Sequence, residues 1–204
     1  MKMSIAEKRH GTYQKWLVAL GVALFLAMMI SKQIFTAEIV EIKMVFQMKD
    51  STLSLANLFY YVVYALMQFL LIFFAHKIDL RKFLTISLGI SSILTILIGV
   101  LGKLYGNILH IFIIFTLNGL AQAGVYGGVV SIYNKHLSKK YYFSGVKAIS
   151  FCIGFSLAIC YGIAAIFTAI NRWDLAFVLA GVLMGATCLA FFIGMPILTK
   201  KFTP

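Results

Sequence analysis

One charged side chain stands deep inside an apolar run. Lys32 lies within Trp16–Val40, a stretch built mostly from Leu, Val, Ala, Met, Ile and Phe. A lysine at a bilayer centre costs ~2.5–3.5 kcal/mol on insertion scales, and such a residue tends to line a cavity or meet an anion. The other outcome is snorkelling to the outer interface, where Glu38 and Glu41 follow closely. Two pairs spaced i, i+4 could act with it: Tyr64 with Gln68, and Gln122 with Tyr126. On a helix each pair shares one face, and all four side chains can hydrogen-bond to a solute. Their alternative use is contact between helices, worth ~0.6 kcal/mol each. Asn57 and Asn118 are weaker candidates of the same kind, placed near the ends of apolar runs. A charged cluster, His76, Lys77, Asp79, Arg81 and Lys82, occupies a short connection. It reads either as a gate, with His76, Lys77 and Arg81 as its members, or as a topology signal facing anionic lipid. There is no Ser/His/Asp set, no carboxylate pair inside an apolar run and no phosphate-cradling Gly loop, so catalysis is not expected. Cys152, Cys160 and Cys188 lack the Cys/His spacing of a metal site. No metal and no other cofactor is expected.

The elements that must position these residues follow from composition. Of 204 residues, 62% are hydrophobic and 12% charged. Soluble domains run near 45–50% apolar and about 25% charged. A soluble enzyme, a disordered segment and a disulfide scaffold are thereby excluded. Six apolar segments stand out: Trp16–Val40, Leu53–Ala75, Phe83–Gly102, Ile108–Tyr133, Ala148–Ile170 and Leu175–Leu198. Each is long enough to cross ~30 Å of hydrocarbon as a helix. None alternates with the period of two that a barrel strand needs. The expectation is an all-α integral membrane fold of six transmembrane helices, with an N-terminal arm over 1–15, a bundle over 16–198 and a tail over 199–204. Longer connections are expected at Glu41–Thr52 and Asn134–Lys147. Gly124-x-x-x-Gly128 and Gly181-x-x-x-Gly185 permit close helix approach.

The net charge of +12 would suggest nucleic acid in a soluble protein. Here Lys and Arg gather in the connections, with no basic stripe interleaved with aromatics, so the partner is the lipid bilayer and not nucleic acid. The N-terminal arm, the second connection, the fourth connection and the C-terminal tail hold thirteen of the 18 Lys and Arg residues. The opposite side holds Lys43, Lys49, Lys103 and Arg172. The positive-inside rule then puts both termini in the cytoplasm of a multi-pass protein of the cell (inner or plasma) membrane. No small-residue cleavage site follows the first span, which is expected to remain in the mature protein.

Several short motifs carry a resemblance. Asn118-Gly119-Leu120-Ala121-Gln122-Ala123-Gly124 resembles the Asn-Gly-x-x-Gln-Gly segment of the organophosphate:phosphate antiporters. Lys32-Gln33-Ile34-Phe35 resembles their Arg-Lys-x-Phe, and Trp173-x-x-Ala176-Phe177 their Trp-x-x-Ala turn into helix six. Tyr64, Gln68 and Arg81-Lys82-Phe83-Leu84 line up with span two and its following loop. With six spans and cytoplasmic termini, the chain resembles the N-terminal six-helix half of a major facilitator superfamily transporter, built from two three-helix repeats. The antiporters it resembles carry glycerol-3-phosphate, hexose phosphates and glucose-6-phosphate. The resemblance implies an anion site at Lys32, with Tyr64, Gln68, Gln122 and Tyr126 as substrate contacts. It covers about residues 15–200. Some positions depart from the pattern. The loop motif Gly-x-x-x-Asp-Arg-x-x-x-Arg reads Ile72, His76, Lys77 and Arg81 here, without its glycine and its gate-closing aspartate. Trp-Pro-Pro in span four becomes Tyr126-Gly127-Gly128, and the later basic residue falls at Ser131.

The resemblance implies a secondary transporter, or its N-terminal half, moving a small organic anion such as a phosphate ester by alternating access between two halves. With six spans, this chain is expected either to continue into a C-terminal half or to pair with a second chain. The alternative is a membrane sensor or partner subunit that binds a related ligand without moving it.

Overall fold

In a computed structural model, residues 5–74, 78–105 and 108–200 are described. They form eight helices and, among the described residues, no strand. The helices are α1 (Ile5–Ala37), α2 (Ile39–Phe46), α3 (Asp50–Phe74), α4 (Leu80–Tyr105), α5 (Ile108–Gln122), α6 (Val125–His136), α7 (Lys139–Ala169) and α8 (Trp173–Lys200). Among the described residues, six stretches are long and apolar enough to cross a membrane: Gly11–Ala37, Asp50–Phe73, Leu80–Leu104, Ile108–His136, Lys139–Ala169 and Trp173–Leu198. The fourth combines α5 and α6.

The helices overrun the apolar segments that define them. The 33 residues of α1 span about 50 Å at ~1.5 Å per residue, beyond the ~30 Å of a bilayer core. Much of the expected arm is therefore the first part of α1. The connection expected at Asn134–Lys147 shrinks to Leu137 and Ser138, because α6 and α7 continue into it. Hydropathy reports only the lipid-crossing part of a helix, so the polar ends were read as loop. Ser138 is held there by Gln14 of α1, whose Oε1 accepts from Ser138 N–H at 3.1 Å and from Ser138 Oγ at 2.8 Å. The connection expected at Glu41–Thr52 holds most of α2. It turns at Gln47, in the left-handed region at φ 50°. The α7–α8 turn uses Asn171 at φ 52°, a residue that tolerates this region. There Arg172 N–H closes back on Phe167 O at 2.9 Å.

Packing is symmetric in a way the chain order does not announce. α1 packs on α7 and α8, α5 on α3 and α4, and α4 on α8. Exchanging spans one, two and three for four, five and six maps α1–α7 onto α5–α3, α1–α8 onto α5–α4, and α4–α8 onto itself. This is the signature of two three-helix repeats. The α4–α8 seam is drawn tight by glycine. A Cβ on Gly99 would lie 2.4 Å from Asp174 O, and one on Gly181 2.9 Å from Ser92 O. Gly185, one turn on, faces Ser92 Oγ, and Gly128 faces Leu84.

Two apolar cores lie along the bundle. One gathers Leu24, Met28, Leu84, Leu88, Val129, Tyr133 and Phe191. The other gathers Ile34, Phe35, Tyr60, Ile98, Phe115 and Phe177. Between them runs a polar layer. Ser31 and Thr95 hydroxyls meet at 2.6 Å. Asn118 Nδ2 donates to Thr95 Oγ1 at 3.1 Å, and Ser91 Oγ donates to Asn118 Oδ1. Gln122 Nε2 donates to Ser91 Oγ at 2.8 Å and to Ser31 Oγ at 3.3 Å, while its Oε1 accepts from Tyr60 at 2.6 Å. All of these side chains are buried. A buried polar layer whose members are all partnered fixes the register of four spans.

Candidate functional site

Lys32 projects from α1 toward α3. Its Nζ lies 4.4 Å from the ring centre of Tyr64, 4.9 Å from that of Tyr61 and 5.7 Å from that of Tyr60. Lys32 and Tyr64 are half-buried, Tyr61 is exposed and Tyr60 is fully buried. Among the described residues no carboxylate forms an ion pair with Lys32. Aromatic faces attract the ammonium by ~0.5–2 kcal/mol each, depending on desolvation, but they leave its charge uncompensated. The site is thus a cation in an apolar span, cradled by rings and able to accept an anion.

The cradle is braced from behind. Tyr60 stacks on Phe115 at 4.5 Å, Phe115 stacks on Phe35 at 4.0 Å, and Tyr60 is stacked with Tyr64 at 6.1 Å. The Tyr60 hydroxyl is fixed by Gln122. A second clasp flanks Lys32 on its other side. Gln33 Nε2 donates to Ile153 O at 3.2 Å, and Gln33 Oε1 accepts from Ser156 Oγ at 2.8 Å, tying α1 to α7. One wall of the site is open to further packing. Only 11% of the most apolar window of α3 is buried, against 56% for α1.

The residues singled out in the sequence separate into distinct places. Lys32 and Tyr64 come together. Gln68, one turn along α3, lines a different cavity of about 170 Å³, whose walls include Phe83, Gly124, Gly127, Gly128 and Ser131. Gln122 and Tyr126 lie on either side of a break in their span. The helix is interrupted at Ala123 and Gly124 between them, so the i, i+4 relation of a continuous helix is lost. Gln122 points into the polar layer with no exposure. Tyr126 turns to α1, edge-on to Phe25 at 5.7 Å. Phe25 lies seven residues before Lys32, on the same stripe of α1 and about 10 Å along it. Asn118, expected near a span end, is also wholly buried in the layer, whereas Asn57 is half-buried on α3.

His76 and Lys77 lie outside the described residues. Asp79 caps α4, its Oδ1 accepting from Arg81 N–H at 3.1 Å and Lys82 N–H at 3.4 Å. Arg81 reaches α8, where Nη2 donates to Phe192 O at 3.1 Å and the guanidinium lies 5.3 Å from the Phe192 ring centre. Phe192 O is the carbonyl that Pro196, four residues on inside α8, leaves without a helical donor. Arg81 thus supplies the hydrogen bond that the proline removes.

Tyr60, Tyr61 and Gln33 escaped the sequence reading. The run Tyr60-Tyr61-x-x-Tyr64 was a usable signal, since i and i+4 share a face and i+1 borders it. Gln33 had only its neighbour Lys32 to recommend it. Among the described residues no group of three His, Cys, Asp or Glu side chains could hold a metal ion.

A family model described as Major Facilitator Superfamily matches residues 16–204. No curated protein and no solved structure matches the chain. Six membrane-crossing helices in two three-helix repeats are half of that superfamily's fold, and the family is one of transporters. The chain is a multi-pass membrane protein and belongs to the Major Facilitator Superfamily.

Proposed function

We propose that the chain serves in secondary transport of a small organic anion, with Lys32 as the charge that receives it. One observation carries this reading: an ammonium in an apolar span, ringed by Tyr60, Tyr61 and Tyr64 and lacking any ion-pair partner among the described residues. In a low-dielectric surrounding such a charge attracts an anion far more strongly than it would in water. Tyr64 orients the anion beside Lys32. Gln68 and Tyr126 meet the anion elsewhere on its path. Gln122 acts through Tyr60. The phosphate-ester class, exchanged against phosphate, is the finer form of the proposal, and it rests on the short motifs of spans one and four. A lysine grips a phosphate as a point charge, without the two-pronged fork of arginine.

Transport proceeds by alternating access, which needs a second six-helix half, continuous with this chain or supplied by another. Both termini face the cytoplasm of the cell membrane, by the distribution of Lys and Arg. A gate at His76, Lys77 and Arg81 closes the cytoplasmic end. The test is uptake of labelled anion into vesicles carrying the protein with its second half. Wild type accumulates the anion, Lys32→Gln does not, and Lys32→Arg retains part of the rate. Uptake unchanged in Lys32→Gln would reject the site. A second reading, a sensor that binds without transporting, is favoured by one observation: Asp79 is spent on capping α4 and Arg81 on α8. Saturable binding without uptake in the same vesicles would decide for it.

A further inference from the structure

Glu38 lies at the junction between α1 and α2 and has no exposed surface. Its backbone stays in the helical ladder across the α1–α2 break, with Glu38 N–H donating to Ile34 O and Ile42 N–H to Glu38 O, both at 3.0 Å. Ile34 and Ile42, one turn to either side on the same face, are wholly buried members of one apolar core. Both Glu38 carboxylate oxygens are buried and lack a hydrogen-bond donor. An ionised carboxylate so placed carries a penalty of several kcal/mol, which proteins avoid by pairing or neutralisation.

Among the described residues no cation pairs with Glu38, and Lys49, beyond α2, is exposed. Glu41, on its own side of the break, has the same sign and raises the penalty. Lys43 is bound to Asp50 of α3 at 2.6 Å. On α4 and α8, Lys103 and Arg172 both engage Asp174. His110 of α5 is exposed, and the last turn of α7, Phe167 to Ala169, has no ionisable group. Neutralisation remains.

We propose that Glu38 is a proton-binding site, held as the neutral acid while α2 is packed against the bundle and surrendering its proton to water when α2 lifts away. The step balances simply: the carboxyl O–H bond breaks, the proton passes to solvent, and the carboxylate gains the hydration it lacked. Burial and the neighbouring Glu41 push the Glu38 pKa up to about 7, so the exchange falls in the working range of a cell membrane. Acid holds α2 down; alkali frees it. This goes beyond the anion reading and needs nothing of Lys32, which lies six residues earlier on α1.

Trp173 reports α2 directly, because Phe46 of α2 lies edge-on to its ring at 5.9 Å. The chain has 2 tryptophans, so Trp16→Phe leaves Trp173 as the sole emitter. Its emission is followed from about pH 5 to about pH 9 in lipid, without any anionic solute. The proposal expects a one-proton transition with a midpoint near 7, abolished by Glu38→Gln, which keeps the acid-form spectrum throughout. Both proteins carry the same 4 histidines, so the difference belongs to Glu38. Should Glu38→Gln fold poorly, infrared spectra of wild type and Glu38→Asp supply the second reading. A protonated carboxyl stretch is expected near pH 6, lost near pH 9, and shifted in Glu38→Asp. A flat wild-type trace, the same transition in Glu38→Gln, or no protonated carboxyl near pH 6 would each overturn the proposal.

Discussion

The contact between Arg81 and α8 can be dissected by a double-mutant cycle. Pro196 sits inside α8 and offers no N–H, which leaves Phe192 O to be satisfied by Arg81 Nη2 at 3.1 Å. Hydrogen bonds to charged groups are worth ~1.5–3 kcal/mol in soluble proteins, while interhelical ones in membranes average ~0.6 and reach ~1.7 kcal/mol. Arg81 is half-buried, so a value of about 1–1.5 kcal/mol is appropriate. The face of Phe192, 5.3 Å from the guanidinium, adds about 0.5 kcal/mol at a partly exposed site. Arg81→Met in the natural background should therefore cost about 1.5–2 kcal/mol. In Pro196→Ala, the new Ala N–H restores the helical partner of Phe192 O. There Arg81→Met should cost only about 0.5 kcal/mol, the ring contact and stem packing that remain. The coupling of about 1 kcal/mol is measured by equilibrium unfolding of the four proteins in one detergent or lipid. Equal costs in the two backgrounds would refute the assignment of Arg81 to the carbonyl that Pro196 leaves open.

Three further outcomes follow from the packing and the charges. Gly99→Ala and Gly181→Ala should each destabilise the fold by 2 kcal/mol or more, on the order of an overpacked core site, because their Cβ atoms would meet backbone of the neighbouring helix. Gly154→Ala, with nothing within 4 Å, should be neutral or slightly stabilising, and thermal melts of all three separate these cases. Gln122→Leu should cost about 1–3 kcal/mol by stranding the Tyr60 hydroxyl and removing a donor from Ser31 and Ser91; a melt within error of wild type would show the polar layer to be dispensable. Stability should also depend on pH through Glu38. Its folded pKa is raised from the ordinary 4.5 to about 7, so below 4.5 the acid is neutral in both states and imposes no penalty. As pH rises from 4.5 to 7 the unfolded chain ionises first and is favoured, and the protein loses up to about 3 kcal/mol relative to Glu38→Gln, at ~1.36 kcal/mol per pH unit. Parallel pH profiles for wild type and Glu38→Gln would contradict this.

The sequence revealed what hydropathy can see. Six continuous apolar runs map onto six crossing helices, since a membrane demands an unbroken length of apolar surface and backbone hydrogen bonds made within each segment. Helix ends were misjudged wherever a helix outruns the bilayer, as at Asn134–Lys147, because water-exposed turns carry the same Lys, Tyr and Ser that fill loops. The site was legible in part. Lys32 and Tyr64 are marked by polarity within apolar runs and by a face shared along unbroken helices. Gln122 and Tyr126 were paired by the spacing of one continuous helix, and the turn at Ala123–Gly124 that interrupts it has no signal in hydropathy. Glu38 looked like an interfacial charge near a span end. It lies at the junction with α2, a separate short helix that hydropathy reads as a connection. The Arg81–Phe192 contact was out of reach, because it joins residues 111 positions apart through a carbonyl that carries no sequence signal of its own.

The central claim concerns Lys32 as the charge that binds an organic anion, and ligand-induced stabilisation tests it most directly. Wild type, Lys32→Gln and Lys32→Arg are melted in lipid with increasing glycerol-3-phosphate, a hexose phosphate or a simple dicarboxylate, in the presence of whatever second half the protein assembles with. Loss of a charge-assisted contact worth ~1.5–3 kcal/mol weakens binding by about 10- to 150-fold. At least one anion should therefore stabilise wild type in a saturable manner, Lys32→Gln should need at least tenfold more of it, and Lys32→Arg should respond within a few-fold of wild type. The unliganded Lys32→Gln protein should melt no lower than wild type, since removing a desolvated charge relieves its cost. Equal stabilisation of wild type and Lys32→Gln by every anion, or no stabilisation of wild type by any of them, would contradict the account.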